Sequence, residues 1–344
     1  MVMKIKRDSR LVTFENIVLD FAEEGGSFLS YSDDAIFNRL LKETLYKILQ
    51  VKKECVFTTT DRKYALNVLR LKAKSRLSSI VFIERAMAGK STLEFFEFVR
   101  ATFSDIHCIA LTSETDKSEL ALLHEAGADN IITKPLNMNT LIEKIAFTVR
   151  PQGHIGQMIE KGKQLVLQGE HQAALKVADT ILADKSNSAA ALMVKGDAYR
   201  GMNRTDQAAA EYVRAHECAQ MYLEPLKRLA ALYEELGDDE KQLSFLDKLD
   251  ELSPLNVARK MRIGGLHMAM GDEEKGKQSY ARAMEVATRE AAQNASNVAM
   301  DIAERLLGVD AEAAETFYRK ALSLKGRHLD RSDVETFNRL GIAL

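Results

Sequence analysis

The 344-residue chain has no tryptophan, only 4 prolines and only 3 cysteines, and it lacks any apolar run of membrane-spanning length. Each absence excludes something. Cys55, Cys108 and Cys218 are odd in number and far apart, so a disulfide framework is not expected. Two of them sit in strand-like runs, "ECVF" and "HCIA", where cysteine serves as a small apolar residue. Without a long apolar run there is no candidate spanning helix. The basic start "MVMKIKRDSRLV" is followed by no apolar segment of the kind a signal peptide needs, so a cytoplasmic location is expected. The net charge of −2 gives no global attraction to nucleic acid or an anionic membrane. The 7 histidines are scattered with no pair at zinc-ligand spacing, and no nucleophile–base set can be assembled. Scarce proline favours helix.

Residues 27–150 alternate in type. Strand-like "SFLSYS", "CVFTTT", "SIVFI", "IHCIALT" and "NIIT" are each followed by a helical pattern, the fourth helix closing at Gly127. Five such units predict an α/β, doubly wound, parallel five-stranded sheet with helices on both faces. From about residue 155 the strand signal disappears, and helix follows helix. Gly162, Gly196, Ala230 and Gly264 recur at a spacing of 34, each followed three residues later by a larger side chain: Leu165, Tyr199, Tyr233 and His267. A small residue at that period lets paired helices approach closely. The pattern resembles the tetratricopeptide repeat, which implies an all-α superhelix over 155–344 with helix pairs starting near 155, 189, 223 and 257. "EAAETFYRKAL" reads as the second helix of an irregular fifth repeat with about four extra residues before it. "SDVETFNRLGIAL" reads as a first helix with no second helix after it, so Phe337 and Leu340 should face the preceding repeat or another molecule. The remaining segment, 1–26, is an N-terminal extension. Its run "LVTFENIVLDFAEE" carries Leu11, Phe14, Val18 and Phe21 on one helical face, to be covered by the repeats or by a partner.

In a parallel sheet the strand carboxyl ends converge on one edge, where ligands bind. That edge collects Asp33 and Asp34 after the first strand, Glu84 after the third, Thr112 at the end of the fourth and Lys134 after the fifth. Three carboxylates are hard oxygen ligands that suit Mg²⁺, and the lysine could pair with a carboxylate or a phosphoryl oxygen. The acidic pair, "ERAMAG", "LTS" and "GADNIITKP", in that order at strand ends, resemble the receiver domain of two-component response regulators, with its flavodoxin-like fold. The resemblance implies that position 84 is where the family carries its phosphate-accepting aspartate. Here it holds Glu84, one methylene longer, which misplaces a nucleophile for in-line attack. Ile131 stands where the family has a switch aromatic. These departures point to a pseudo-receiver. Glu84 is then either a fixed charge standing in for a phosphoryl group or a salt-bridge partner of Lys134 in a docking module. "AGKST" at 88–92 resembles a phosphate-binding loop, but that pattern needs glycine at position 84.

In the repeat family the first helices line the concave groove. By register that face includes Ile159, Lys163, Val166, Met193, Asp197, Arg200, Lys227, Met261 and Met268, a mixture of methionine and both charges suited to an adaptable protein contact. The expected function is a non-enzymatic signalling adaptor or regulator in which a degenerate receiver is coupled to a protein-binding superhelix. The resemblance implies a protein partner in the groove and a histidine kinase or other signalling protein in the pathway. The alternatives are a genuinely phosphorylatable regulator and a phosphatase acting on a partner. No basic recognition helix is present to serve as a DNA-binding output.

Overall fold

The structure, a computed structural model, describes residues 9–75, 77–103, 106–150, 154–326 and 333–343. The basic run at 4–7 and residues 151–153, between the two domains, lie outside the described residues.

Five parallel strands form the first domain: β1 (Ser27–Tyr31), β2 (Val56–Thr59), β3 (Ser79–Glu84), β6 (Ile106–Thr112) and β7 (Asn130–Thr133). Two two-residue strands, β4 (Ala86–Met87) and β5 (Lys90–Ser91), form a small hairpin directly after β3. The sheet order is β2-β1-β3-β6-β7. Successive strand side chains point to opposite faces, which explains the unbroken apolar run in β3. Ile80 and Phe82 enter one core with Phe28, Ile109, Leu111 and Ile132, while Val81 and Ile83 enter the other with Leu29, Cys108, Ala110 and Ile131. Helices α2 (Ala35–Lys42) and α6 (Met138–Val149) cover the first face; α3 (Arg62–Lys74), α4 (Leu93–Thr102) and α5 (Lys117–Glu125) cover the second.

The amphipathic segment before β1 forms α1 (Ser9–Glu23), whose Phe14, Ile17, Val18 and Phe21 are buried. Its cover is the sheet domain rather than the repeats: Phe14 meets Phe147 of α6 and Phe21 meets Phe28 of β1. The extension thus completes the first core.

The rest is a TPR-like helical repeat. The pairs are α7 (His154–Leu167) with α8 (His171–Asp184), α9 (Ala189–Gly201) with α10 (Thr205–Cys218), α11 (Glu224–Glu235) with α12 (Asp239–Leu252), and α13 (Val257–Ala269) with α14 (Glu273–Leu306). The first helices begin within one residue of the starts expected from the 34-residue period. A Cβ on Gly196 would lie 2.4 Å from the Tyr212 ring, so glycine is what lets α9 and α10 meet. The fifth repeat departs from expectation. α14 runs for 34 residues, and its second half pairs with α15 (Ala311–Lys325), so there is no separate first helix. Residues 277–307 contain no glycine or proline to stop it, and are rich in alanine. In α16 (Asp333–Ala343), Leu340 packs with Ala303, Ala314 and Tyr318, while Phe337 is half exposed. No described helix is long and apolar enough to cross a membrane.

Candidate functional site

Asp34, Glu84 and Lys134 meet at the carboxyl edge of the sheet. β3 ends by presenting Glu84 in register with Leu111 of β6, and its side chain is buried. The Lys134 ammonium donates to both Glu84 oxygens, at 2.7 and 2.8 Å, and to Asp34 Oδ2 at 2.7 Å. The Lys134 N–H donates to the Thr112 carbonyl at 2.8 Å, tying the turn after β7 to the end of β6. Asp34 faces two ways. Its other oxygen accepts from the N–H groups of Ile36 and Phe37 and caps α2.

Burial pushes the Glu84 carboxyl above its ordinary value, against the opposing pull of the Lys134 charge, the Lys134 hydrogen bonds and the Ser32 hydroxyl. For Asp34 burial acts in the same upward direction, but Lys134 and the two capping N–H groups outweigh it and bring the carboxyl below its ordinary value. Both Glu84 oxygens are thus already committed to Lys134 and Ser32.

The other expected residues are placed differently. Asp33 turns out of the pocket: its Oδ2 accepts from the Ala88 N–H of the hairpin at 3.0 Å. Thr112 is buried, and its hydroxyl accepts from the Glu114 N–H at 3.0 Å, closing the turn after β6. Ile131 packs in the second core. The expected Mg²⁺ set does not fit this arrangement. An ammonium stands between Asp34 and Glu84, Asp33 is engaged elsewhere, and no three metal-ligating side chains converge among the described residues.

Two participants were not expected. The Ser32 hydroxyl donates to Glu84 Oε2 at 2.7 Å and accepts from the Asp34 N–H at 3.1 Å. Its only signal in the sequence is its place before the acidic pair. Arg85, next to Glu84, reaches away from the pocket to Ser91 at 2.9 Å, Glu119 of α5 at 3.3 Å and Glu290 of α14 at 3.1 Å. The hairpin tip follows it: Gly89 has φ of +71°, and a Cβ there would lie 2.2 Å from Val298 and 2.8 Å from the Asn294 carbonyl. The strand that ends in Glu84 therefore continues directly into a contact with the repeats.

A second contact joins the domains at the end of α5. Glu125 accepts from Ser253 Oγ and Asn256 Nδ2, each at 2.8 Å, and from Arg259, while its backbone carbonyl accepts from Lys227 Nζ at 3.2 Å. Lys227 was expected to line the groove; it is engaged instead by the sheet domain and by Glu224. Met193 is not on a groove either. It is buried among Leu192, Ala208, Tyr212 and Leu229, because its turn of α9 faces the neighbouring helices. Asp197 accepts from the Tyr212 hydroxyl at 2.7 Å, and Arg200 pairs with Glu235. Lys163 is exposed beside Glu160, and Met261 and Met268 are exposed on α13. Met268 also leans on Gly276 of the paired helix, where an added Cβ would lie 2.5 Å from its sulfur.

No family model matches the chain, and no curated protein matches it. Among solved structures it is similar to MamA, at 16% identity over 52% of this chain and 98% of that one, with a TM-score of 0.35. It is also similar to a thermophilic TPR protein in Thermus thermophilus, at 19% identity, 55% and 98% coverage and a TM-score of 0.30. YrrB, described as a TPR protein with an unusual peptide-binding site, matches at 18% identity, 50% and 86% coverage and a TM-score of 0.33. Likenesses of that size carry no weight beside the helix geometry itself.

Proposed function

We propose that the chain is a non-enzymatic signalling adaptor in which a pseudo-receiver of two-component type is joined to a protein-binding repeat domain. The observation that carries this reading is the Glu84–Lys134 pair. Glu84 sits where receivers carry the phosphate-accepting aspartate, and Lys134 holds it through both oxygens at 2.7 and 2.8 Å. An oxygen so committed is a poor nucleophile toward a phosphodonor. The strand order, second-first-third-fourth-fifth when the hairpin is set aside, is the flavodoxin-like one and supports the same reading.

The geometry favours docking over mimicry. A phosphoryl mimic would draw Thr112 and an aromatic into a switch; Thr112 instead closes a turn and Ile131 packs in the core. The receiver then serves as a fixed surface, and the resemblance implies a histidine kinase or another signalling protein as the component that it or the repeats engage.

The reading is tested by incubating the chain with Mg²⁺ and acetyl phosphate and measuring intact mass. No added phosphate is expected on the unmodified chain. Phosphate on Asp33, Asp34 or Glu84 would instead establish the alternative, a phosphorylatable regulator. Affinity capture on the full chain, followed by mass spectrometry and reconstitution with purified candidates, tests the protein-binding half.

A further inference from the structure

The end of α5 is held like a ligand. Its last residue, Glu125, lies in a notch built by α11, the turn after α12 and the start of α13. Arg259 is almost fully buried, with 3% of its side chain exposed, and it also binds Asp250 and the Ser253 carbonyl. Asn256 and Ser253 complete three donors around one carboxylate. Lys227 meets the freed backbone carbonyl at the helix end, where the macrodipole favours a cation. Four residues earlier, on the same helical face, Ala121 packs against the leucine-rich cluster formed with Leu223, Leu226 and Leu249. Gly127, with φ of +111°, then turns the chain away. The notch therefore reads three features together: a helix C-terminus, a glutamate at it, and a small residue one turn before.

Among the described residues Ala121 is the one from the sheet domain in that leucine cluster, and the contact is otherwise polar: hydrogen bonds to Glu125, with the charges of Glu97 and Arg100 on α4 acting on Lys227 and Glu224. Polar contacts between domains of this kind are the ones that open. We propose that α5 is an internal pseudo-ligand of the repeats, and that the notch takes a partner helix ending in glutamate with a small residue four positions before it. Such a helix binds by displacing α5 and so releases the sheet domain from this end of the superhelix. The proposal rests on the reading of the repeats as a protein-binding domain, and supplies the chemistry of what they bind.

The test uses the full chain and a fluorescent peptide of residues 115–127. Glu125→Lys places a cation against Arg259 and Lys227 and should empty the notch. The peptide should bind that variant at least about tenfold more tightly than the wild type, since in the wild type it must compete with α5. Replacing Glu125 of the peptide by glutamine, or adding Arg259→Met to the Glu125→Lys chain, should abolish the gain. Because Glu125→Lys could unfold the chain, the wild type is also followed by hydrogen exchange: excess peptide should speed exchange at residues 117–125 and leave β3 protected. Equal binding to both chains, binding indifferent to Arg259, or unchanged exchange at saturating peptide overturns the proposal. A reconstituted protein partner that binds wild type and Glu125→Lys equally would overturn this notch as its site while leaving the protein-binding reading intact.

Discussion

Gly196→Ala is the substitution that most directly tests the repeat geometry. In an ordinary helix interior, alanine for glycine stabilises by about 1 kcal/mol. Here the new Cβ would sit 2.4 Å from Cε1 of Tyr212, a ring with no solvent exposure. The ring has little freedom to move, because its hydroxyl is bonded to Asp197 at 2.7 Å. Overpacking of this kind costs about 1–3 kcal/mol, and breaking a hydrogen bond to a charged group adds about 1.5 kcal/mol. After the propensity gain, a net loss of about 1.5–3.5 kcal/mol is expected, roughly 3–14 °C in the melting temperature of a unit this size. Gly265→Ala is the control. It lies in a repeat helix too, but its Cβ would meet only the Tyr280 hydroxyl, at an ordinary 3.7 Å, so it should stabilise by up to about 1 kcal/mol. Thermal unfolding followed by far-ultraviolet circular dichroism on the three chains decides it. Equal and favourable shifts for both alanines would refute the close approach of α9 and α10. Gly196→Leu should be worse than Gly196→Ala.

Lys134→Met should leave Glu84 buried without its partner, costing about 3–5 kcal/mol at neutral pH. Because burial already raises Glu84, the folded state binds more protons than the unfolded state above the ordinary glutamate value, and stability falls as pH rises. The penalty in urea unfolding should therefore shrink on going from about pH 7.5 to about pH 5; a pH-independent penalty would show that Glu84 is not the group left unpaired. Glu84→Asp should restore a carboxylate of family length, and intact mass after acetyl phosphate should show phosphate on it but not on the parent. Partner binding unchanged by Glu84→Gln would exclude the charge-mimic reading. Among the cysteines, Cys218 is exposed, whereas burial pushes the Cys108 thiol up to about 12. Iodoacetamide should modify Cys218 in the native chain and reach Cys108 only after denaturation; rapid native labelling of Cys108 would argue that β6 is not a central strand.

Periodicity in the sequence determined the elements, because periods of two and of 3.6 residues are local properties that a single segment can carry. The five strands, the helix-pair starts and the glycine and alanine contacts of the repeats were all legible on that basis. So was the meeting of Asp34, Glu84 and Lys134, since parallel strands bring their carboxyl ends together whatever the loops do. Tertiary structure decided where the ambivalent groups went. Asp33 and Asp34 are adjacent in sequence, yet one caps α2 and binds Lys134 while the other binds the hairpin. The face of α1 was plain, but its cover was the sheet core. Residues 277–307 carried no glycine or proline, but only packing against both α13 and α15 showed why a single helix is used there. Glu125 carried no signal at all. Its partner Arg259 is 134 residues away, and a polar contact across that distance leaves no period, spacing or composition behind. Its value depends on three donors converging in space, which no local stretch of this chain encodes.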